Sequence, residues 1–401
     1  MPSSSYAKNA IVLGLLSAVG PFAIDMYLPA LPTIAADLHA STSTTQMTLM
    51  AFFVAMGVCQ IAYGPISDMV GRKAPLYFGL TLFVIGSIGC GLAPSIEWLI
   101  FGRFVQGIGA ASVMVIPRAI IRDLHTGVEA TRLMALVMLV FSVSPMLAPL
   151  TGSGLIAVFG WRSVFVAVTI GALIGFLLIA VFLQETRPVE KRTQVGIGSV
   201  LAGFGRLLGD RRFLSLTFIG GLGISSFFAF LASSSFVYID HYGLTPTQFS
   251  LAFAVNAFGF IGSSQFAARL GGRFGMSRVV LTAVISFATF ALILLAVTAA
   301  GVDRLPVLMI LLFISFASLG LVIPSTMVLA LEDHGPIAGL ASSLGGTLQM
   351  VTGGLMIAIV SVFFNGTSLP MVAVIAACSV GALILSLVTL RRQAVVPQPA
   401  E

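Results

Sequence analysis

The chain has 401 residues, of which 58% are hydrophobic and only 8% are charged. A soluble domain carries about 25% charged residues, so this composition excludes a soluble protein and indicates a polytopic helical membrane protein. The net charge of +6 comes from basic residues scattered through short gaps between apolar runs, which argues against a nucleic-acid partner. The three cysteines and four histidines form no metal-ligand pattern, so we expect no metal and no cofactor.

Twelve apolar runs are long enough to cross a membrane, whose hydrocarbon core takes about 20 helical residues. They predict an all-α membrane protein of twelve transmembrane helices, arranged as two pseudo-symmetric six-helix bundles. The predicted spans are 9–32, 44–66, 74–93, 97–120, 132–157, 162–183, 213–237, 247–269, 277–299, 306–330, 337–361 and 370–390.

The sixth gap is the only long polar one and divides the chain near its middle. We therefore expect an N-terminal bundle at 1–183, a cytoplasmic linker at 184–212, and a C-terminal bundle with a short cytoplasmic tail at 213–401. With both termini in the cytoplasm, the outer loops keep only Arg162 and Arg304 as basic residues, which agrees with the positive-inside rule.

An internal repeat relates the two halves. The second span opens with QMTLMAFFVAMG (Gln46–Gly57) and the eighth with QFSLAFAVNAFG (Gln248–Gly259), and a basic glycine turn follows each. An offset of about half the chain indicates parallel halves related by an axis along the membrane normal. Such halves hold their substrate between them near the middle of the membrane.

The first span carries an acid, Asp25, although it has no Lys, Arg, Glu or His between Ile11 and Leu31. A carboxylate there costs about 2.5 kcal/mol or more, and such residues usually face a bundle interior or an aqueous pathway. Gly20, Pro21 and Pro29 bracket Asp25 and weaken the helix around it. We expect Asp25 to bind and release a proton.

After the second span the chain reads GPISDMVGRK. This resembles the signature loop of the major facilitator superfamily, G-x-x-x-D-[R/K]-x-G-R-[R/K], at Gly64, Asp68, Gly71, Arg72 and Lys73. Met69 stands where the family has a basic residue.

The resemblance implies a cytoplasmic gate at this loop. Glycines permit a tight turn, and Asp68 could cap the start of the eleventh helix, whose positive dipole end favours an anion. Arg118 or Arg122 would complete a charge cluster that holds the gate shut. The alternative is an ordinary positive-inside loop.

The fourth span contains GRFVQGIGAA, which resembles the R-x-x-Q-G motif of the same superfamily. The i, i+3 spacing places Arg103 and Gln106 on one helix face. A cation facing the first span would lower the proton affinity of Asp25. The alternative is an arginine that snorkels to the outer face.

The fifth span contains SPMLAPLTGSG, which resembles the antiporter motif of the superfamily, G-P-x-x-G-G. Pro149 and Gly152 match, while Ala148 and Ser153 replace glycines. In the superfamily this motif accompanies exporters. The alternative is that it marks only close helix packing.

The segment PFAIDMYLPALP in the first span is very similar to the first helix of the bicyclomycin/chloramphenicol-resistance drug:proton antiporters. This resemblance implies proton-driven efflux of small, largely apolar drugs across a bacterial inner membrane, by a protein that can act as a monomer. Some relatives carry a second acid about two turns earlier, where this chain has Ser17. Coupling would then rest on Asp25 alone, which favours one exchanged proton.

The substrate cavity is less defined by the sequence. Aromatic walls with a few polar anchors suit a permissive pocket. Any single phenylalanine among the 31 could equally face lipid or pack in the core. The candidate substrate-binding residues are Phe22, Asp25, Gln106, Phe227, Phe228 and Asn256.

Other functions fit less well. An exporter of a sugar or another metabolite is the main alternative, and scarce polar residues in the spans argue against a sugar. A membrane-embedded enzyme would need paired titratable groups, while only Asp25 and Arg103 lie well inside spans. A channel would need rings of repeated filter residues, which are absent. Without a GxxxxGK[ST] loop, ATP-driven transport is disfavoured.

Overall fold

The computed structural model describes residues 4–125, 127–192 and 197–390, so the predicted tail after Leu390 and residues 193–196 of the predicted linker lie outside the described residues. Within those ranges the chain forms fifteen α-helices and no β-strand. The helices are α1 (Ser4–Asp25), α2 (Leu31–Asp37), α3 (Thr42–Val70), α4 (Lys73–Gly91), α5 (Ile96–Leu124), α6 (Gly127–Phe159), α7 (Arg162–Phe182), α8 (Ile197–Gly209), α9 (Arg211–Ser235), α10 (Pro246–Ser264), α11 (Ala267–Phe274), α12 (Met276–Ala299), α13 (Leu305–Glu332), α14 (Ala338–Phe363) and α15 (Leu369–Leu390).

Twelve segments of the described chain are long and apolar enough to cross a membrane, which confirms the predicted all-α fold with twelve spans. Most of them are single helices, because a helix satisfies its own backbone hydrogen bonds where no water is present. Two spans are interrupted. The first joins α1 to α2, and the eighth joins α10 to α11. The seventh continues from α9 into a π-helical turn at Phe236–His241.

Contacts divide the chain into two compact units. The first comprises Met1–Gly196 with Leu244–Ala254, and the second Ile197–Gly243 with Val255–Glu401. In the first unit, α1 packs against α5, α6 and α7. In the second unit, α9 packs against α13, α14 and α15. The opening span of each unit therefore has the fourth, fifth and sixth spans of that unit as neighbours, which is the arrangement expected of a repeat.

Small residues bring α3, α4 and α5 close together. A Cβ at Gly107 would lie 2.4 Å from the carbonyl oxygen of Phe52 in α3, so only glycine allows this approach. A Cβ at Gly109 would lie 2.4 Å from the carbonyl oxygen of Gly79 in α4. Close helix approach through small residues is the usual basis of packing in membranes. Here it brings Arg103, one turn before Gly107 on α5, up against α3.

Two predicted loops are partly helical. The prediction of a loop from Gly64 is wrong up to Val70, because α3 continues to that residue and only Gly71 and Arg72 separate it from α4. In the segment predicted as a linker, α8 forms a helix that packs against α14. Its Leu207 is fully buried, and a Cβ at Gly203 would lie 2.8 Å from Leu340. Burial of this apolar stripe stabilises a helix too short to stand out among the spans.

Candidate functional site

The first span is broken immediately after Asp25. Helix α1 ends at Asp25, a turn follows at Met26 and Tyr27, and a 3-10 turn at Leu28–Ala30 leads into α2. Pro29 lies at the start of that 3-10 turn. Proline cannot donate a backbone hydrogen bond, so the α-helical ladder cannot continue through it unchanged. Asp25 is thus the last residue of a helix that ends inside a membrane span.

The Asp25 side chain is buried, with 5% of its surface exposed. No hydrogen bond or ion pair reaches its carboxyl from any residue that the structure describes. An ionised carboxylate buried without a partner is costly, whereas the neutral acid is tolerated.

Arg103 is fully buried on α5, so it does not snorkel to the surface. Its Nη1 donates to the carbonyl of Ala23 at 3.0 Å and to Gln106 Oε1 at 2.6 Å. The guanidinium also lies over two aromatic rings, 4.6 Å from the ring centre of Tyr27 and 4.3 Å from that of Phe52. The Ala23 carbonyl belongs to the last turn of α1, where carbonyls lose their intrahelical partners and attract cations.

Arg103 and Asp25 do not pair in this structure. No nitrogen of Arg103 lies within 4 Å of the Asp25 carboxylate, and within the described chain Arg103 Nε and Nη2 have no hydrogen-bond partner. The arginine instead holds the backbone two residues before the acid. Nε and Nη2 of Arg103 therefore remain available as hydrogen-bond donors.

A chain of polar side chains fixes this arginine. Gln106 Nε2 donates to Ser87 Oγ at 2.7 Å, and Ser87 Oγ donates to the Phe83 carbonyl at 2.7 Å. On the other side, the Tyr27 hydroxyl hydrogen-bonds Thr48 at 2.8 Å. The sequence analysis missed Ser87, Thr48 and Tyr27. Only Tyr27 gave a signal, as an aromatic residue two positions after the acid.

Gly152 on α6 packs directly against the break in the first span. A Cβ there would lie 2.3 Å from the carbonyl oxygen of Met26, the residue after Asp25. Gly154, two residues further on and on the opposite side of α6, has no atom within 4 Å of its Cβ position. The carbonyl of Pro149 on the same helix accepts a hydrogen bond from Ser250 Oγ at 2.9 Å.

A second cluster surrounds Arg72, at the turn between α3 and α4. Arg72 is 3% exposed and pairs with Asp68 at 2.8 Å and with Asp123 at 2.7 Å. Arg187 approaches both acids, at 3.5 and 3.7 Å. The sequence analysis missed Asp123 and Arg187.

The other two predicted gate arginines lie on α5, close to Asp123. Arg118 is half-buried and Arg122 is exposed. The salt bridges that the structure shows for Asp68 run to Arg72 and Arg187.

Glu185 anchors the start of α4. Its carboxylate accepts hydrogen bonds from the backbone N–H groups of Arg72 at 2.8 Å and Lys73 at 3.1 Å. Burial acts against the charged form, but these bonds and one from the Arg187 N–H hold the pKa of Glu185 below its ordinary value of 4.5. Gly71 has a φ of 100°, a conformation that favours glycine, and a Cβ there would lie 2.7 Å from the Glu185 carboxylate.

The predicted substrate residues are divided between the units. Phe22 is half-buried on α1, and Gln106 is fully buried with both amide atoms bonded to protein. In the second unit, Phe227 stacks on Phe260 at 5.6 Å. The ring of Phe228 packs closely against α14, since a Cβ at Gly353 would lie 2.2 Å from it. Asn256 is buried on α10.

Comparison with known proteins gives consistent results. The sequence model described as "Major Facilitator Superfamily" matches residues 13–361. The chain is 37% identical over 367 residues to an uncharacterized transporter of this type, YdgK, from Bacillus subtilis, covering 91% of each chain. It is 30% identical over 375 residues to a bicyclomycin resistance protein homolog from Haemophilus influenzae, covering 92% of this chain and 93% of the relative. It is also 30% identical over 350 residues to multidrug resistance protein D from Escherichia coli, covering 86% of each.

Solved structures share the fold. A bacterial homolog of the human lysosomal transporter Spinster aligns with a TM-score of 0.74 at 16% identity, over 100% of both chains. The xylose transporter XylE from Escherichia coli aligns with a TM-score of 0.72 at 13% identity, over 99% of both chains.

Proposed function

The chain belongs to the major facilitator superfamily, and on that basis we propose that this multi-pass membrane transporter is a proton-coupled antiporter that exports small, largely apolar drugs. Two kinds of evidence support this proposal, the first for the drug class and the second for proton coupling. Relatives that align with most of the chain are named for resistance to bicyclomycin or to multiple drugs, at about 30% identity. The break in the first span also carries a buried acid without a partner, next to a buried arginine.

The observation that carries the proposal is the isolation of Asp25 at the end of α1. In the conformation described here the carboxyl is most stable with its proton. When the site opens to water, or when the reserve donors Nε and Nη2 of Arg103 turn towards it, the carboxylate is stabilised and the proton leaves. Drug and proton compete for this region, so movement of one across the membrane drives the other in the opposite direction.

The Arg72 cluster supplies the gate in this scheme. We propose that the bundles at 1–183 and 213–401 alternate access to the drug, joined by the linker at 184–212, with both termini in the cytoplasm of a bacterial inner membrane. Arg72 and its two acids would then lie at the cytoplasmic end. Arg72 is almost fully buried among these acids. Separating one charge while the others stay buried would leave an unpaired buried charge, which is costly, whereas opening the gate as a whole exposes all of the charges to water together.

The test is drug-driven proton release in inside-out membrane vesicles. Asp25→Asn keeps the shape of the side chain and removes its titration, so adding drug is expected to release no protons while the protein remains in the membrane. The matched control is Asp37→Asn, an exposed acid in the same span that pairs with Arg162 at 2.8 Å, and it is expected to retain exchange. Normal exchange by Asp25→Asn would overturn the proposal.

A further inference from the structure

The second unit contains an apolar groove between α11, α12 and α13. Its volume is about 500 Å³, and Arg278, in the first turn of α12, lines it. The groove follows α12 from Arg278 to Ser286, a distance of about 12 Å at 1.5 Å per residue. Ser286 and Ser318 at its far end hydrogen-bond each other at 2.8 Å. Other residues that line it include Leu270, Phe274, Val279, Thr282 and Leu321.

The mouth of this groove carries unneutralised positive charge. Arg269 and Arg273 are exposed and lie four residues apart on α11, and Arg278 is exposed at the start of α12. The sequence has no Asp or Glu between Asp240 and Asp303. Among the described residues none of the three arginines forms an ion pair. Cations at the start of a helix are unfavourable to its dipole, so helix stability does not account for Arg278.

The geometry points to a binding site for an anionic phospholipid, a ligand that the transport scheme does not require. The headgroup phosphate would lie on Arg278, with Arg269 and Arg273 adding charge, and one acyl chain would lie along α12. The groove belongs to three membrane-spanning segments, and its end at the arginines is the one that the sequence predicts to be cytoplasmic. Basic pockets between spans on that side suit anionic headgroups. A free phosphate would use the arginines but not the apolar groove.

The first unit provides an internal comparison. A similar groove of about 450 Å³ lies between α3, α4 and α5, lined by residues such as Tyr63, Ile66 and Phe78. No arginine lines it, and Arg72 in the adjacent turn is already paired with Asp68 and Asp123. The side chain of Lys73, the other base of that turn, has no acid partner among the described residues and lies over the Tyr77 ring. This groove is therefore expected to prefer an anionic headgroup less strongly than the groove of the second unit. The charge preference of the whole protein should then depend mainly on the second unit.

The experiment is native mass spectrometry of the purified full chain, with phosphatidylglycerol or with phosphatidylcholine of the same acyl chains. The wild type is expected to retain phosphatidylglycerol preferentially. Arg278→Gln is expected to lose about five-fold in affinity for it, the contribution typical of one basic residue at a membrane surface. Arg278→Lys should retain most of the preference. The matched control, Arg304→Gln at the opposite end of α12 and α13, should bind as the wild type does.

Three results would overturn the proposal. They are equal retention of the two lipids by the wild type, unchanged phosphatidylglycerol binding by Arg278→Gln, and displacement of the lipid by millimolar inorganic phosphate, which would indicate a site for a free anion. Thr282→Trp fills the groove while keeping every arginine, and it is expected to abolish the preference. If Arg278→Gln fails to fold, as judged by its melting temperature in lipid-free detergent, Thr282→Trp decides the question.

Discussion

Gly152→Ala tests whether contact between α6 and the break in the first span is needed for exchange. The added Cβ would lie 2.3 Å from the Met26 carbonyl oxygen and 3.0 Å from the Met26 Cα. Ordinary contact begins near 3.4 Å, so one helix must move by about 1 Å. Overpacking of this kind costs about 1–3 kcal/mol. Acting on one conformation, that cost changes its population by about 5- to 150-fold.

The assay is the initial rate of drug-driven proton release in inside-out vesicles, together with the melting temperature of the purified protein. Gly152→Ala is expected to melt lower than the wild type and to exchange at least five-fold more slowly. Gly154→Ala is the control, because its Cβ meets no atom within 4 Å and alanine favours a helix. Wild-type melting and exchange in Gly152→Ala would show that the backbone at Met26 yields freely and would refute the reasoning.

Three further predictions concern the arginine, the gate and the anchor of α4. Arg103→Lys keeps the charge but loses the planar guanidinium that lies over two rings, so the pH profile of exchange should shift. An unchanged profile would argue that Arg103 is only structural. Asp68→Asn should lower turnover more than drug affinity, and an effect on affinity alone would contradict a gating role. In Glu185→Gln the melting temperature should fall less than in the wild type as the pH is lowered. Because the pKa of Glu185 is lowered, its contribution to stability is present above pH 4.5 and lost as the pH falls further. An equal fall in melting temperature with decreasing pH in the mutant and the wild type would disprove this.

The span pattern was predictable because it depends on local composition. Runs of about 20 apolar residues are visible without knowledge of any contact, and the described part of the chain has twelve such segments. The break after Asp25 was predictable from Pro29, whereas the weakening predicted on the other side is not seen, because α1 runs through Pro21. By contrast, α8 was not predicted, because its apolar stripe is too short for a membrane span and lies within a polar segment, and its helix packs against α14.

The side-chain networks were less predictable because their members are far apart in the chain. Glu185 contacts Arg72 across 113 residues, and Arg103 contacts Ala23 across 80. The motifs predicted roles for Arg72 and Arg103, but they could not identify Asp123 or Glu185 as partners. Those two acids lie near the ends of other helices, and their contacts depend on how those helices pack. It also placed Arg103 near Asp25, whereas the structure joins Arg103 to the backbone beside that acid.

The surroundings of Arg103 bear on how the protein is inserted during synthesis. The hydrogen-bond and cation–π partners of its guanidinium outside α5, among the described residues, are Ala23, Tyr27 and Phe52, and all three precede it in the chain. The carbonyl and both rings that contact the buried cation have therefore been synthesised before α5 leaves the ribosome. A helix whose arginine would be costly to insert into lipid alone can then pack against these groups as it inserts. The break after Asp25 has the opposite order, because Gly152, which packs against the backbone of Met26, is made more than one hundred residues later. The first span is therefore synthesised well before the fifth can pack against its break.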